Sequence, residues 1–390
     1  MPRTADVFLA FLRLGFTSFG GPVAHLAYFR EAFVIRRAWL SEAAYAELVA
    51  LSHFLPGPAS SQVGMAIGRL RAGTPGMLAA WVAFTLPSAL ALTLFALGLA
   101  RFGDAVPTGT LTAIKAAVVG VVAHALLGMA RTLVSGPWRT GIALAAMTML
   151  LMPAAPHPAL VILLAALVTS RLPITLPSLG AETLASAGSR QSGLLYLAAF
   201  FGLLALLPIA AALSAEPAVA LIDRFYRTGS VVFGGGHVVL PMLEAEVVAT
   251  GQVPANDFLT GYAAAQVIPG PLFSFAAFIG AIMPTGLSGL AGAALALLAI
   301  FLPSALLIAG VLPLWARLRT VPSLRRALTG ANAATVGLLA AALWDPVIAV
   351  GVVDFTTGLI AILSYTLLAM LRVPAWGVVI GMGIAGSLGV

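Results

Sequence analysis

Glycine and proline stand where this chain could hold a small anion. Phe19-Gly20-Gly21-Pro22 and Phe233-Gly234-Gly235-Gly236-His237 both interrupt strongly apolar sequence. Successive glycines let the backbone turn sharply and leave N–H groups open to a ligand. A helix starting beyond such a break offers unpaired donors and a partial positive charge, which suits an anion. The plainer alternative is that these glycines only let helices pack closely. A second pair of breaks follows, His53-Phe54-Leu55-Pro56-Gly57-Pro58 and Gln266-Val267-Ile268-Pro269-Gly270-Pro271. Pro56 and Pro269 remove helix hydrogen bonds, while Pro58 and Pro271 suit the first turn of a new helix. Ser60, Ser61, Gln62 and Ser274 come just after and could line the same site; otherwise each motif is a structural hairpin tip.

Cations are scarce and therefore informative. Lys115 is the only lysine and lies in an apolar run. It faces either a cavity, where its charge attracts an oxyanion, or the interface, to which it snorkels. Arg13 and Arg227 each precede a glycine break. A guanidinium fork matches two oxygens of a tetrahedral oxyanion, although Arg227 could instead pair with Asp223 at i, i+4. His25, His53 and His237 adjoin the motifs and could donate to an oxyanion or serve only as packing residues.

Other chemistries find no support. Cysteine is absent, which removes disulfides, thiolate metal sites and cysteine nucleophiles. No His-x-x-x-His pair suggests a metal, and no Gly-Lys-Ser/Thr loop suggests ATP. Neither a cofactor nor an enzyme activity is expected. Glu47, Asp223, Asp345 and Asp354 are the carboxylates near membrane depth, so a proton relay is allowed but not required.

The elements that must position these residues are membrane helices. The chain has 390 residues, 61% hydrophobic and 8% charged, against about 25% charged in soluble domains. Lipid must be its solvent. The net charge of +7 does not argue for nucleic acid, because the arginines sit mostly between apolar segments. Near the start, the apolar run from Val7 to Leu14 is interrupted by Arg13 and no cleavage pattern follows, so a signal peptide is not expected. Apolar segments are predicted at 7–20, 43–55, 59–70, 76–100, 109–134, 139–153, 157–171, 193–214, 217–233, 257–283, 286–312, 323–344, 346–371 and 374–390. Several are shorter than the roughly 20 residues of a full span.

The chain repeats itself. Gly15 matches Gly229 at an offset of 214 in the glycine motifs, and Pro56 matches Pro269 at 213 in the Pro-Gly-Pro motifs. Pro87 of Leu86-Pro87-Ser88 matches Pro303 of Leu302-Pro303-Ser304 at 216, and Gly120 matches Gly337 at 217. In this alignment the neutral Asn332 stands opposite Lys115, which would make the cavity electrostatically lopsided. Charge then tests orientation. Arg30, Arg36 and Arg37 follow the first glycine motif, while Glu244, Glu246 and Asp257 follow the second. Arg69 and Arg71 have no charged counterparts near Met283. The third pair reverses, with Arg101 alone against Arg317, Arg319, Arg325 and Arg326. Equivalent loops therefore fall on opposite sides by the positive-inside rule, the mark of an inverted repeat. Segment 43–70 must then dip in and return. Parity further requires either that the glycine-motif segments are also re-entrant or that one short segment does not cross.

The expectation is an all-α integral membrane protein of two homologous halves, an inverted repeat with broken or re-entrant helices. Residues 1–190 form the first repeat, 191–216 a linking transmembrane segment and 217–390 the second repeat. At these landmarks, and in Arg36-Arg37-Ala38-Trp39-Leu40-Ser41-Glu42, the sequence resembles the chromate ion transporter family over nearly its whole length. His53 departs from the glutamine expected before the first Pro-Gly-Pro. The resemblance implies a multi-pass inner-membrane protein of a bacterium or archaeon that exports chromate, with sulfate as a competitor. Import or exchange of sulfate or another oxyanion is the first alternative, and an intramembrane enzyme, for which no nucleophile–base pair is found, is the second. A homodimer is compatible with this reading.

Overall fold

Helices long enough to reach only the middle of a bilayer come in pairs, and each pair turns at one of the glycine-bearing motifs. The computed structural model describes residues 2–103, 106–174, 176, 188–214, 216–233 and 235–389. The first pair is α1 (Pro2–Thr17) and α2 (Gly21–Arg30, continued by a π-type turn over Glu31–Arg36). Gly20 and Gly21 form its tip with φ of 95° and 76°, a region that glycine enters without steric cost. The chain reverses there. Phe11 on α1 lies 5.4 Å from Phe29 on α2 and 4.7 Å from Phe33. The second pair is α3 (Glu42–Phe54) and the opening turns of α4 (Ala59–Phe102), with Pro56-Gly57-Pro58 as its tip. α4 is broken at Ala72 and Gly73, which divides its re-entrant part from a spanning part.

α5 (Thr108–Leu133) returns across the bundle, α6 (Pro137–Leu150) and α7 (Pro158–Arg171) follow, and α8 (Arg190–Leu213) leads to the second half. There the hairpins recur. α9 (Pro217–Val231) turns at Gly235 into α10 (Val239–Leu243). Arg227 before the tip reaches Glu246 after it at 3.1 Å, so this segment doubles back as well. α11 (Ala255–Val267) turns at Pro269-Gly270-Pro271 into α12 (Phe275–Ile282), with Tyr262 and Phe275 rings 5.7 Å apart. The long α13 (Gly289–Val311) and the short α14 (Trp315–Leu318) precede α15 (Pro322–Ala342). One turn of α16 (Ala349–Gly351), α17 (Phe355–Ala369) and α18 (Ala375–Ser387) complete the chain.

The glycine-motif segments are thus re-entrant, which resolves the parity of the sequence reading. α3 and α11 have 13 residues each, roughly 20 Å at 1.5 Å per residue, half-way through a bilayer. Two predicted segments divide: 257–283 is a hairpin and 346–371 breaks at Asp354, which caps α17. Among the described residues five helices are long and apolar enough to cross a membrane: α4, α5, α8, α13 with α14, and α15 with the turns that follow it.

The tips meet in the middle, each hairpin binding one from the other half. Gly57 N–H donates to Val232 C=O at 2.6 Å, and Gly270 N–H donates to Ser18 C=O at 3.0 Å. Ser88 Oγ and Ser274 Oγ lie 2.7 Å apart, while Gln62 Nε2 reaches Ser304 Oγ at 3.3 Å. The outer helices are also exchanged: α6 and α7 pack on α15, and α17 and α18 pack on α5. Glycine permits these close crossings. A Cβ on Gly120 would lie 2.7 Å from Ala361 C=O on α17, and one on Gly337 would collide with Ala143 C=O on α6.

Candidate functional site

A cavity of about 530 Å³ opens between the tips, α5 and the segment joining α17 to α18. Its inner wall is Gly20, Gly21, His237, Gln266 and Gly270, drawn from three of the four hairpins. The outer wall adds His124 and Arg131 from α5 and Arg372 from the α17–α18 connection. No carboxylate lines it among the described residues. Neither Arg131 nor Arg372 is in a salt bridge with any described residue. Two guanidinium charges, two imidazoles and an amide therefore face one space, an arrangement that repels cations and offers donors to an oxyanion.

The inner wall is held from behind. His237 Nδ1 and Tyr262 Oη are 2.9 Å apart, which fixes the imidazole and leaves its other nitrogen for the cavity. Gln266 stands one turn beyond Tyr262 on α11, and its side-chain amide is directed at the Tyr262 hydroxyl, so Tyr262 ties His237 and Gln266 together. A Cβ on Gly270 would sit 2.8 Å from Ser88 Oγ, so a larger residue here would push the Ser88 side chain aside.

Several predicted residues support the tips without lining the cavity. His25 is buried between Ser60 Oγ at 3.2 Å and Ser18 C=O at 3.1 Å, edge-on to Phe84. Gln62 donates to Pro56 C=O at 2.5 Å, and Ser61 Oγ is buried with no hydrogen-bond partner among the described residues. Pro22 lies where a Cβ on Gly236 would touch it at 3.2 Å. Pro58, Pro269 and Pro271 shape the two hairpin tips. Gly235, with φ 130°, opens the short 3-10 turn that carries Gly236 and His237. Gly234 lies outside the described residues.

Other predicted residues stand apart from the cavity. Lys115 donates to Asn256 Oδ1 at 2.9 Å, near the α11 end that faces away from the tips. Its repeat partner Asn332 lies on α15 with a buried Oδ1 that has no hydrogen-bond partner among the described residues. Arg13 is exposed on α1, and His53 is exposed at the end of α3. Arg227 is committed to Asp223 at 2.8 Å and Glu246 at 3.1 Å. The basic residues that do face the cavity, His124, Arg131 and Arg372, were not singled out from the sequence. One signal was present: His124 and Arg131 are seven apart, hence on one face of α5. Arg372 gave none, because only the fold brings the α17–α18 connection to α5.

The family model for chromate transporters matches residues 5–170 and 219–387. A chromate transport protein of Pseudomonas aeruginosa is 28% identical over 386 residues, 91% of this chain and 86% of that protein. One of Cupriavidus metallidurans is 29% identical over 370 residues, 92% of this chain and 86% of its own length. An uncharacterized transporter of Bacillus subtilis, YwrA, is 31% identical over 170 residues, 41% of this chain but 91% of that shorter protein. No solved structure gives a significant match.

Proposed function

This chain belongs to the chromate transporter family, and from that premise we propose that it carries chromate, or a tetrahedral oxyanion like it, out of the cytoplasm across the inner membrane. The carrying observation is the composition of the cavity wall: Arg131, Arg372, His124, His237 and the Gln266 amide, with no carboxylate among the described lining residues. Guanidinium forks bind two oxygens of a dianion side by side. The hairpin tips Gly20, Gly21 and Gly270 add a wall without side chains, against which a compact anion packs closely.

Direction is supported by charge and energetics. The spanning part of α4 starts beside Arg71, and α5 returns antiparallel to it. Arg131, near the end of α5, therefore comes back to the arginine-rich end of the bundle, where Arg37 and Arg71 flank Trp39. The positive-inside rule makes that end cytoplasmic. A dianion leaving a negative-inside cell gains roughly 4.6 kcal/mol per 100 mV, from about 2.3 per charge. Export then needs no coupled ion, whereas import would.

The test is uptake into everted membrane vesicles. Chromate should accumulate saturably, more strongly with an interior-positive potential, and sulfate should compete. Vesicles with and without the protein that take up chromate equally would refute the reading.

A further inference from the structure

A second cavity, of about 720 Å³, lies between α15, the α6–α7 connection and the segment after α10. Its walls are the repeat equivalents of the first. On the central helix, Val121, His124 and Ala125 of the first cavity correspond to Leu338, Ala341 and Ala342 of the second, each at an offset of 217. In the connections, Leu368, Arg372 and Val373 correspond to Leu151, Ala155 and Pro156 at the same offset. Unrelated surface hollows would not share one register on two separate elements.

The two cavities differ in depth and in charge. The first reaches the tips at Gly20, Gly270 and His237, whereas the second ends at Pro241 and Glu244. Fully buried Val238, Val239 and Leu240 belong to the segment between it and the tips. Where the first has His124 and Arg372, the second has Ala341 and Ala155, and the equivalent of Arg131 is Ile348, which lies outside the second cavity's lining. Its own titratable lining is Glu244, Asp345 and His157, and His157 is held by the Glu246 carboxylate at 3.1 Å.

We propose that the second cavity is the opposite opening of the same path, closed in this conformation, and that its acidic wall expels the oxyanion. In an inverted repeat, equivalent cavities open to opposite faces, and rocking of the halves exposes a central site to each in turn. A basic entrance raises the local anion concentration and an acidic exit lowers it, which speeds loading on one side and slows rebinding on the other, while the membrane potential sets the net direction. This rests on the oxyanion-export reading.

The chain has no cysteine, so single thiols report cleanly. Ala369→Cys and Met152→Cys are equivalent positions, one per cavity, and both are exposed. A membrane-impermeant methanethiosulfonate should modify Ala369→Cys in everted vesicles and Met152→Cys in right-side-out vesicles. Modification of both from one face, or of Met152→Cys from neither, overturns the proposal. This labelling needs no transport, so it stands apart from any failure of chromate uptake. In the charge arm, Glu244→Gln with Asp345→Asn should slow chromate transport on the order of tenfold, with the half-saturating cytoplasmic chromate unchanged. Glu244→Asp with Asp345→Glu should keep the rate, which separates charge from folding. An undiminished rate in the neutral pair, or loss that an imposed proton gradient alone restores, overturns release by repulsion.

Discussion

Gly270 and Ser88 belong to opposite halves, yet the Cβ that Gly270 lacks would sit 2.8 Å from Ser88 Oγ. Gly270 also has φ 113°, so two independent constraints hold this position to glycine. Gly270→Ala should cost about 1–3 kcal/mol from the backbone alone. Adding Ser88→Ala should recover only the steric part. Thermal unfolding in detergent checks this: full recovery in the double variant would mean that the backbone conformation carries no cost.

Arg131→Gln and Arg372→Gln should each raise the half-saturating chromate concentration. A lost charge-assisted hydrogen bond is worth about 1.5–3 kcal/mol, roughly ten- to a hundredfold. Vesicle uptake at graded chromate, corrected for protein amount, measures it.

Lys115→Met is the contrasting case. Its ammonium holds Asn256 and does not line the cavity, so the half-saturating concentration should stay as in the parent protein. A tenfold increase would bring Lys115 back into the binding path.

Glu47 and Arg319 form a cross-half ion pair at 2.7 Å with 13% and 5% of their side chains exposed, and Trp315 Nε1 donates to the same carboxylate at 2.9 Å. Breaking a buried pair costs about 3–5 kcal/mol. Glu47→Gln should therefore lower the unfolding temperature while cavity binding stays intact.

Arg36 and Thr250 are repeat equivalents at an offset of 214. Arg36→Cys and Thr250→Cys should react with an impermeant thiol reagent from opposite faces. Reaction from one face only would defeat the inverted repeat.

The tips were legible in the sequence because glycine and proline act locally: Gly20, Gly57, Gly235 and Gly270 turn the chain where their motifs stand. The repeat was legible from fixed offsets, and its inversion from arginines that must stay on one side. Pairing across the halves was not. Nothing local says that Gly57 donates to Val232, or that α17 covers α5. Cavity cations were missed for the same reason. Lys115 drew attention as a lone charge in an apolar run, but a residue near a helix end can turn outward, and it does so toward Asn256. Arg372 follows an apolar stretch, as interfacial arginines commonly do; only the crossed packing brings it over the tips.

That crossed packing also bears on how the protein is made. α6 and α7 leave the ribosome about 150 residues before α15, the helix they cover. At 5–20 residues per second, synthesis alone separates them by about 8–30 s. Through that interval, lipid must shield the face on which Gly337 will settle against Ala143. The halves therefore cannot mature one after the other, and the first is finished only when the second arrives.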